Sequence, residues 1–274
     1  MLKDMVRKLT SQGLHSLGLK RSEPICPVCS RSSQKIGSVD FNKSCEDKEK
    51  RVFKESKRKV IYYLCDSCAH CFAPEFREWS DEDFIREIYN SEYIKVDPEL
   101  TEKRPIEFAK FIDRVFGEIK KNIHHLDFGG GPGVLSNALR NLGWNSVSFD
   151  PFFATVDEHA SEKFDLITAI EVFEHVPDPH QLMHQILARM KEDGLLLFST
   201  LPSDQVLRGG SLLKWWYLAP RNGHVSLFST NSLIALFEKY DLKVASLMPG
   251  LFVAYRKLPG WCENIKAIAA LKPM

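Results

Sequence analysis

The sequence lacks any long apolar run: nothing in it approaches the roughly 18–20 consecutive apolar residues a membrane helix needs, so no membrane span is expected. No secretory leader is expected either. The opening stretch "MLKDMVRKLTSQGLHSLGLK" spaces its charges throughout and holds no unbroken hydrophobic core. Charge of one sign is also absent in excess. Lys and Arg number 37 against 36 Asp and Glu, so no global field draws the chain to nucleic acid or to a membrane surface. These absences suggest a cytoplasmic setting, where paired cysteines point to metal rather than disulfides.

What remains is an ordinary globular composition, 44% hydrophobic and 27% charged over 274 residues, enough for one large domain and a smaller one. Residues 1–24 read as an N-terminal arm or weakly amphipathic helix, with Leu2, Met5, Val6 and Leu9 at helical spacing. An organelle transit peptide is the less favoured alternative. Residues 43–59 hold eight Lys/Arg against four Asp/Glu. With few large apolar residues, this stretch reads as a solvated loop, and as a polyanion site only in second place.

The seven cysteines divide the chain. "CPVC" places Cys26 and Cys29, and "CDSC" places Cys65 and Cys68. Two such knuckles present four thiolates, the donor set of a tetrahedral structural zinc site. The 35 residues between the pairs exceed the usual ribbon spacing, which closure entropy tolerates because it grows slowly with length. His70 and Cys71 compete as ligands; Cys45 and Cys262 do not. A zinc-ribbon-like module over residues 25–79 is therefore expected, stabilised by its metal. Residues 80–121 read as a helical connector. Ser80 caps "DEDFIREIY", and Pro105 opens "PIEFAKFIDRVFGEIK".

Over residues 122–274 apolar strands alternate with helices. "HHLDF", "SVSFD", "FDLITAI" and "GLLLFST" suit buried parallel strands, and "VLSNALRNLG" and "HQLMHQILARM" suit helices. The pattern predicts an α/β, Rossmann-like doubly wound sheet with ligands at the carboxyl ends of its strands. "LKVASLM" and "LFVAYRK" suit a closing antiparallel hairpin. At the expected ligand edge stands "LDFGGGPG". Gly129, Gly131 and Gly133 alternate, and Gly130 lies between them, so backbone approaches a ligand closely. Dinucleotide folds space their glycines as G-x-G-x-x-G, whereas here the third place is Val134 and Asp127 precedes the loop. A carboxylate there repels a pyrophosphate and suits a cationic ligand. Asp150, ending the next strand, is placed to accept hydrogen bonds from ribose hydroxyls.

"LDFGGGPG", Asp150 and "FDLITAIEVFEHVPDP" together resemble the class I S-adenosylmethionine-dependent methyltransferases, most closely the group with an E-V-x-E-H-V-x-D-P pattern. The resemblance covers roughly residues 105–257, and the knuckles resemble those preceding such domains in some sugar C-methyltransferases. It implies S-adenosylmethionine as cofactor, with Asp127, Gly129, Gly130, Gly131 and Gly133 at its methionine part and Asp150 at its ribose. Pro151, Phe152 and Val156 are the adenine candidates, although Phe164 follows Asp150 by only fourteen positions, short for a helix plus a third strand. Glu171 is assigned to both cofactor and acceptor sides. His175, Glu171 and His224 are the catalytic candidates. In ubiquinone-pathway O-methyltransferases a cluster similar to Glu171, Glu174 and His175 binds a divalent metal; base, metal and positioning roles all stay open. Trp215, Trp216 and Tyr217 are either an acceptor lid or the core of an insertion. His180 and His184 read as a solvated or capping pair, while His124 and His125 lie at the strand end away from the ligand.

The expected partner is a small or medium methyl acceptor, such as a sugar or a quinol- or lipid-like metabolite, methylated at oxygen or at carbon. The rival reading is a zinc-ribbon module that binds nucleic acid or protein on a methyltransferase-like scaffold. A nicotinamide oxidoreductase is disfavoured by the glycine spacing.

Overall fold

The computed structural model describes residues 23–99, 102–153, 159–210, 212–263, 265–269 and 271–274. The expected N-terminal helix and Val156 lie outside the described residues. The chain enters through the "CPVC" knuckle and forms β1 (Ser33–Asp40), β2 (Lys59–Cys65) and the two-residue β3 (Cys71–Phe72). β1 and β2 pair antiparallel from Ser33↔Cys65 to Asp40↔Lys59. The long insertion between the knuckles is thus partly strand. Its basic half is not simply solvated: Lys43 donates through Nζ to the carbonyls of Trp215 and Leu218, and the Cys45 amide donates to Asn222 Oδ1 at 2.8 Å.

The connector follows as α1 (Asp81–Glu87) and α2 (Lys103–Phe116). Ser80 closes a capping box with Asp83 at the start of α1, which satisfies donors the first turn leaves free. α2 begins two residues before Pro105 and buries Ala109, Ile112 and Phe116.

The large sheet contains β4 (His124–Phe128), β5 (Asn145–Phe149), β6 (Phe164–Ile170) and β7 (Met190–Ser199), with α3 (Val134–Asn141) and α4 (Pro179–Arg189) as crossovers. α5 (Asp204–Arg208) leads into the insertion, β8 (Ser226–Leu227) leaves it, and α6 (Thr230–Glu238) joins the hairpin of β9 (Lys243–Met248) and β10 (Leu251–Tyr255). Strand order is β5-β4-β6-β7-β10-β9. β4 to β7 run parallel and β10 runs antiparallel to both neighbours. Residues of α2 and α3 pack in a cluster on one face, with Leu166, Leu195 and Val253. Those of α4 and α6 pack on the other, with Leu126, Ile167 and Phe198. This is the doubly wound arrangement, and its crevice lies beyond the carboxyl ends of β4 and β6. Between Asp150 and Phe164 no strand occurs among the described residues, as the short spacing foretells.

A second sheet, β1-β2-β3-β8, joins the knuckle region to the insertion. β8 pairs antiparallel with β3, Cys71↔Leu227 and Phe72↔Ser226. Cys26, Val28, Cys65, Cys68 and Phe72 share one apolar cluster with the residues under α4 and α6. Among the described residues no helix is long and apolar enough to cross a membrane.

Candidate active site and cysteine centre

The glycine loop runs from the end of β4 to the start of α3. Gly130 has the tightest setting: a Cβ there would stand 2.2 Å from Asp127 Oδ2 and 2.4 Å from Ser148 Oγ. Gly131 takes φ +54° and donates its amide to Asp150 Oδ2 at 2.9 Å. The Phe152 amide donates to the other oxygen, Oδ1, at 2.8 Å. Asp150 is thereby aimed along the loop, and burial raises its carboxyl above the usual range, against those amide bonds.

Asp127 is buried. Its Oδ1 accepts from Thr168 Oγ1 at 3.0 Å, while Oδ2 has no partner. Burial pushes the carboxyl up to about 7. A buried acceptor without a donor is costly, and a cationic ligand group would relieve it. Behind this carboxylate lies a support the sequence did not suggest. His125 bridges Ser146 Oγ at 2.7 Å and Thr168 Oγ1 at 3.1 Å, and burial holds its ring neutral, down at about 3. His125 thus takes no part at the ligand itself but fixes the threonine that orients Asp127. A threonine in the apolar run "FDLITAI" was the only available signal.

These groups open into a chamber of about 1370 Å³, lined among others by Asp127, Gly129, Gly130, Gly131, Asp150, Pro151, Phe152, Glu171 and His175. Its volume exceeds the range of about 300–1,000 Å³ usual for one ligand, leaving space for two. The connector supplies the opposite wall through Phe84, Tyr89, Tyr93, Arg104, Phe108 and Phe111. Tyr89 packs on Phe152 and Tyr93, with ring centroids 5.1 and 5.2 Å apart.

The acceptor-side candidates are not all neighbours. Glu171 has φ +54° and pairs with Arg104 at 2.8 Å; Arg104 also holds Asp97. The expected trio of Glu171, Glu174 and His175 is therefore corrected. The side chains that converge are Glu174, His175 and His224, with one donor atom of each within 4.8 Å of the others. His175 lines the chamber, and its Nδ1 lies 3.2 Å from the Tyr89 hydroxyl. His224 is buried behind it, with ring centroids 4.9 Å apart, rather than facing the acceptor as expected. His224 Nδ1 donates to the Tyr217 carbonyl at 2.7 Å, which leaves Nε2 with its lone pair. Burial lowers both imidazoles, His224 to about 4. Glu174 accepts from the Tyr217 hydroxyl and keeps Oε2 without a partner; burial pushes its carboxyl up to about 8. Trp215, Trp216 and Tyr217 do not line the chamber; Tyr217 is buried in the insertion's core.

The four knuckle cysteines also converge, with all four Sγ atoms within 4.8 Å of one another. Cys26 and Cys68 sulfurs are 3.7 Å apart and those of Cys29 and Cys65 3.4 Å, close to the edge of about 3.8 Å for four thiolates at about 2.3 Å from zinc. Backbone amides of Val28, Ser67 and Cys68 point at these sulfurs at 3.4 Å. The Cys26 thiol is drawn down chiefly by its hydrogen bond with Cys68. The donor set fits zinc. His70 stacks on Phe72 and packs against the tilted ring of Phe228, and Cys71 packs in a separate apolar cluster, so neither joins the centre. His180 is not a solvated partner of His184: it reaches Tyr240 at 2.7 Å and the Val28 carbonyl at 3.0 Å.

An acid-led glycine loop, an acid at the end of the second parallel strand and a two-ligand chamber at the switch point define a class I S-adenosylmethionine-dependent methyltransferase fold. The methyltransferase domain family matches residues 100–247. This is more than half of the chain, and the chain belongs to that family. The ubiquinone biosynthesis O-methyltransferase of Glaesserella parasuis serovar 5 is 30% identical over 125 residues, 35% of this chain and 52% of that protein. Its counterpart in Actinobacillus pleuropneumoniae serotype 7 is 34% identical over 104 residues, 28% of this chain and 44% of that protein. The chain spans about half the length of the curated relatives it matches. Similar solved structures include a possible histamine N-methyltransferase of Thermotoga maritima, 14% identical, TM-score 0.36, covering 56% of this chain and 91% of that one. Mitomycin 7-O-methyltransferase is 18% identical, TM-score 0.41, covering 66% and 58%.

Proposed function

We infer that the protein transfers the sulfonium methyl of S-adenosylmethionine to a hydroxyl on a small or medium acceptor with an apolar body. The observation that carries the cofactor side is the buried, partnerless Oδ2 of Asp127, a residue that lines the chamber, which suits the ammonium of the methionine part; Asp150 takes the ribose. The acceptor's half is walled by aromatic rings. Arg104 there is occupied by Asp97 and Glu171, so it is not available to a phosphorylated sugar. In the reaction the methyl–sulfur bond breaks as the methyl–oxygen bond forms. S-adenosylhomocysteine leaves, and the hydroxyl proton passes to a base. His175 is that base on this reading, since it lines the chamber and its ring is neutral.

Positioning within the chamber supplies most of the rest. As an alternative to a free His175 base, Glu174, His175 and His224 fit a divalent cation, given the orphaned Glu174 oxygen; bound there, it would supply Lewis acidity to the acceptor oxygen in place of that base. That the two curated relatives, 30% and 34% identical, are named O-methyltransferases supports the hydroxyl reading. The test is methyl transfer from isotope-labelled cofactor to matched panels of phenols bearing apolar tails and of nucleotide sugars. Labelling confined to the nucleotide sugars would refute the acceptor class.

A further inference from the structure

Strand β8 is bound along both edges. On one side the Ala73 amide donates to the Val225 carbonyl at 3.0 Å, next to the β3 pairing. The Tyr62 hydroxyl donates to the His224 carbonyl at 2.8 Å. On the other side the Val225 amide donates to the Glu174 carbonyl at 2.9 Å, and Ser226 Oγ to the Val176 carbonyl at 2.6 Å. The residue between those two carbonyls is His175. The strap is also tied to the cysteine centre, because Ser229 Oγ donates to the Cys68 carbonyl at 2.7 Å. β3 is only two residues long, and the Cys65–Cys68 turn sets its start, with Cys65 N bonded to the His70 carbonyl at 2.9 Å.

We propose that the four-cysteine metal centre is a positioning device for the acceptor site: through β3 and β8 it holds the Glu174–Val176 turn, and so His175 and His224, in place. The inference rests on the zinc and acceptor-site readings above. It assigns the knuckles a task beyond stabilising their own module. The cofactor residues stand outside the strap, since Asp127 is held by Thr168 and Asp150 by the glycine loop and the Phe152 amide. Loss of the metal therefore loosens one half of the chamber and spares the other.

The test is hydrogen–deuterium exchange by mass spectrometry on the full chain, as isolated with its zinc counted and after chelation under reducing conditions. S-adenosylhomocysteine affinity is measured on both samples. Chelation should speed exchange by at least about tenfold, as local opening would, in segments 172–177 and 224–229 as well as 59–73. Segments 124–128 and 145–149 should stay protected and ligand affinity should hold within about threefold. Faster exchange confined to residues 23–73 overturns the proposal, as does loss of protection everywhere together with ligand binding. Tyr62→Phe removes one strap bond without touching a cysteine. It should speed exchange at 224–229 by about three- to tenfold with zinc content unchanged, and no change there also overturns it. A chain isolated without zinc would defeat this proposal and the metal reading together. Failure of the loaded protein to bind S-adenosylhomocysteine would defeat only the cofactor reading.

Discussion

Replacing Asp127 by Asn isolates the charge that the cofactor reading depends on. The amide keeps the shape and an oxygen for Thr168, now 3.0 Å from Asp127 Oδ1, but removes the carboxylate from the chamber. A hydrogen bond to a charged group contributes about 1.5–3 kcal/mol, so S-adenosylhomocysteine should bind Asp127→Asn about 10- to 150-fold more weakly at pH 8. The pH dependence gives a second readout. Burial holds the free Asp127 carboxyl up at about 7, and a cationic ligand group favours the ionised form, so binding must expel the proton below that pH. Affinity of the natural protein should be flat above about pH 8, lower by about tenfold at pH 6 and by about a hundredfold at pH 5. The substituted protein should lack that slope. Isothermal titration calorimetry from pH 5 to 8.5 measures both. Equal affinities at pH 8, or the same slope in both proteins, would refute the reasoning.

Thr168→Val removes the donor to Asp127 and should weaken S-adenosylhomocysteine about three- to tenfold, measured in the same titration, with circular dichroism unchanged. Gly130→Ala drives a methyl to within 2.2 Å of Asp127 Oδ2; ligand affinity should fall by at least about a hundredfold, and near-normal binding would mean that the loop is not a cradle. Elemental analysis should find about one zinc per chain. Cys65→Ser should lower that value well below half, together with the melting temperature, and zinc near zero in the freshly purified protein would contradict the centre.

The glycine loop and the two acids at the edge of the chamber were legible because their signals are local. Positive φ at Gly129, Gly131 and Gly133 favours glycine over any residue with a Cβ, and Asp127 and Asp150 stand at the ends of adjacent parallel strands. The cysteine pairs were legible for the same reason, since ligand spacing within a knuckle is short. Contacts far apart in sequence were not. No local pattern says that Ser226–Leu227 extends the sheet of the knuckles, or that Thr168 hands its hydroxyl to Asp127 rather than serving as a strand residue. The apolar faces of α1 and α2 read as helical packing, and nothing in their period distinguishes a core from a ligand chamber. The E-x-x-E-H spacing suggested that Glu171 stands with Glu174 and His175. A left-handed backbone at Glu171 turns its carboxylate to Arg104 instead, and His224 arrives from 49 positions beyond His175 to take its place.

The chamber, on the reading above, is built for S-adenosylmethionine. The most direct test is the melting temperature of the full chain alone, with S-adenosylhomocysteine and with NAD, because only a ligand that prefers the native state raises the midpoint. A chamber so built gives a clear rise with S-adenosylhomocysteine and none with NAD. A rise with NAD alone, or with neither at millimolar ligand, would contradict that reading.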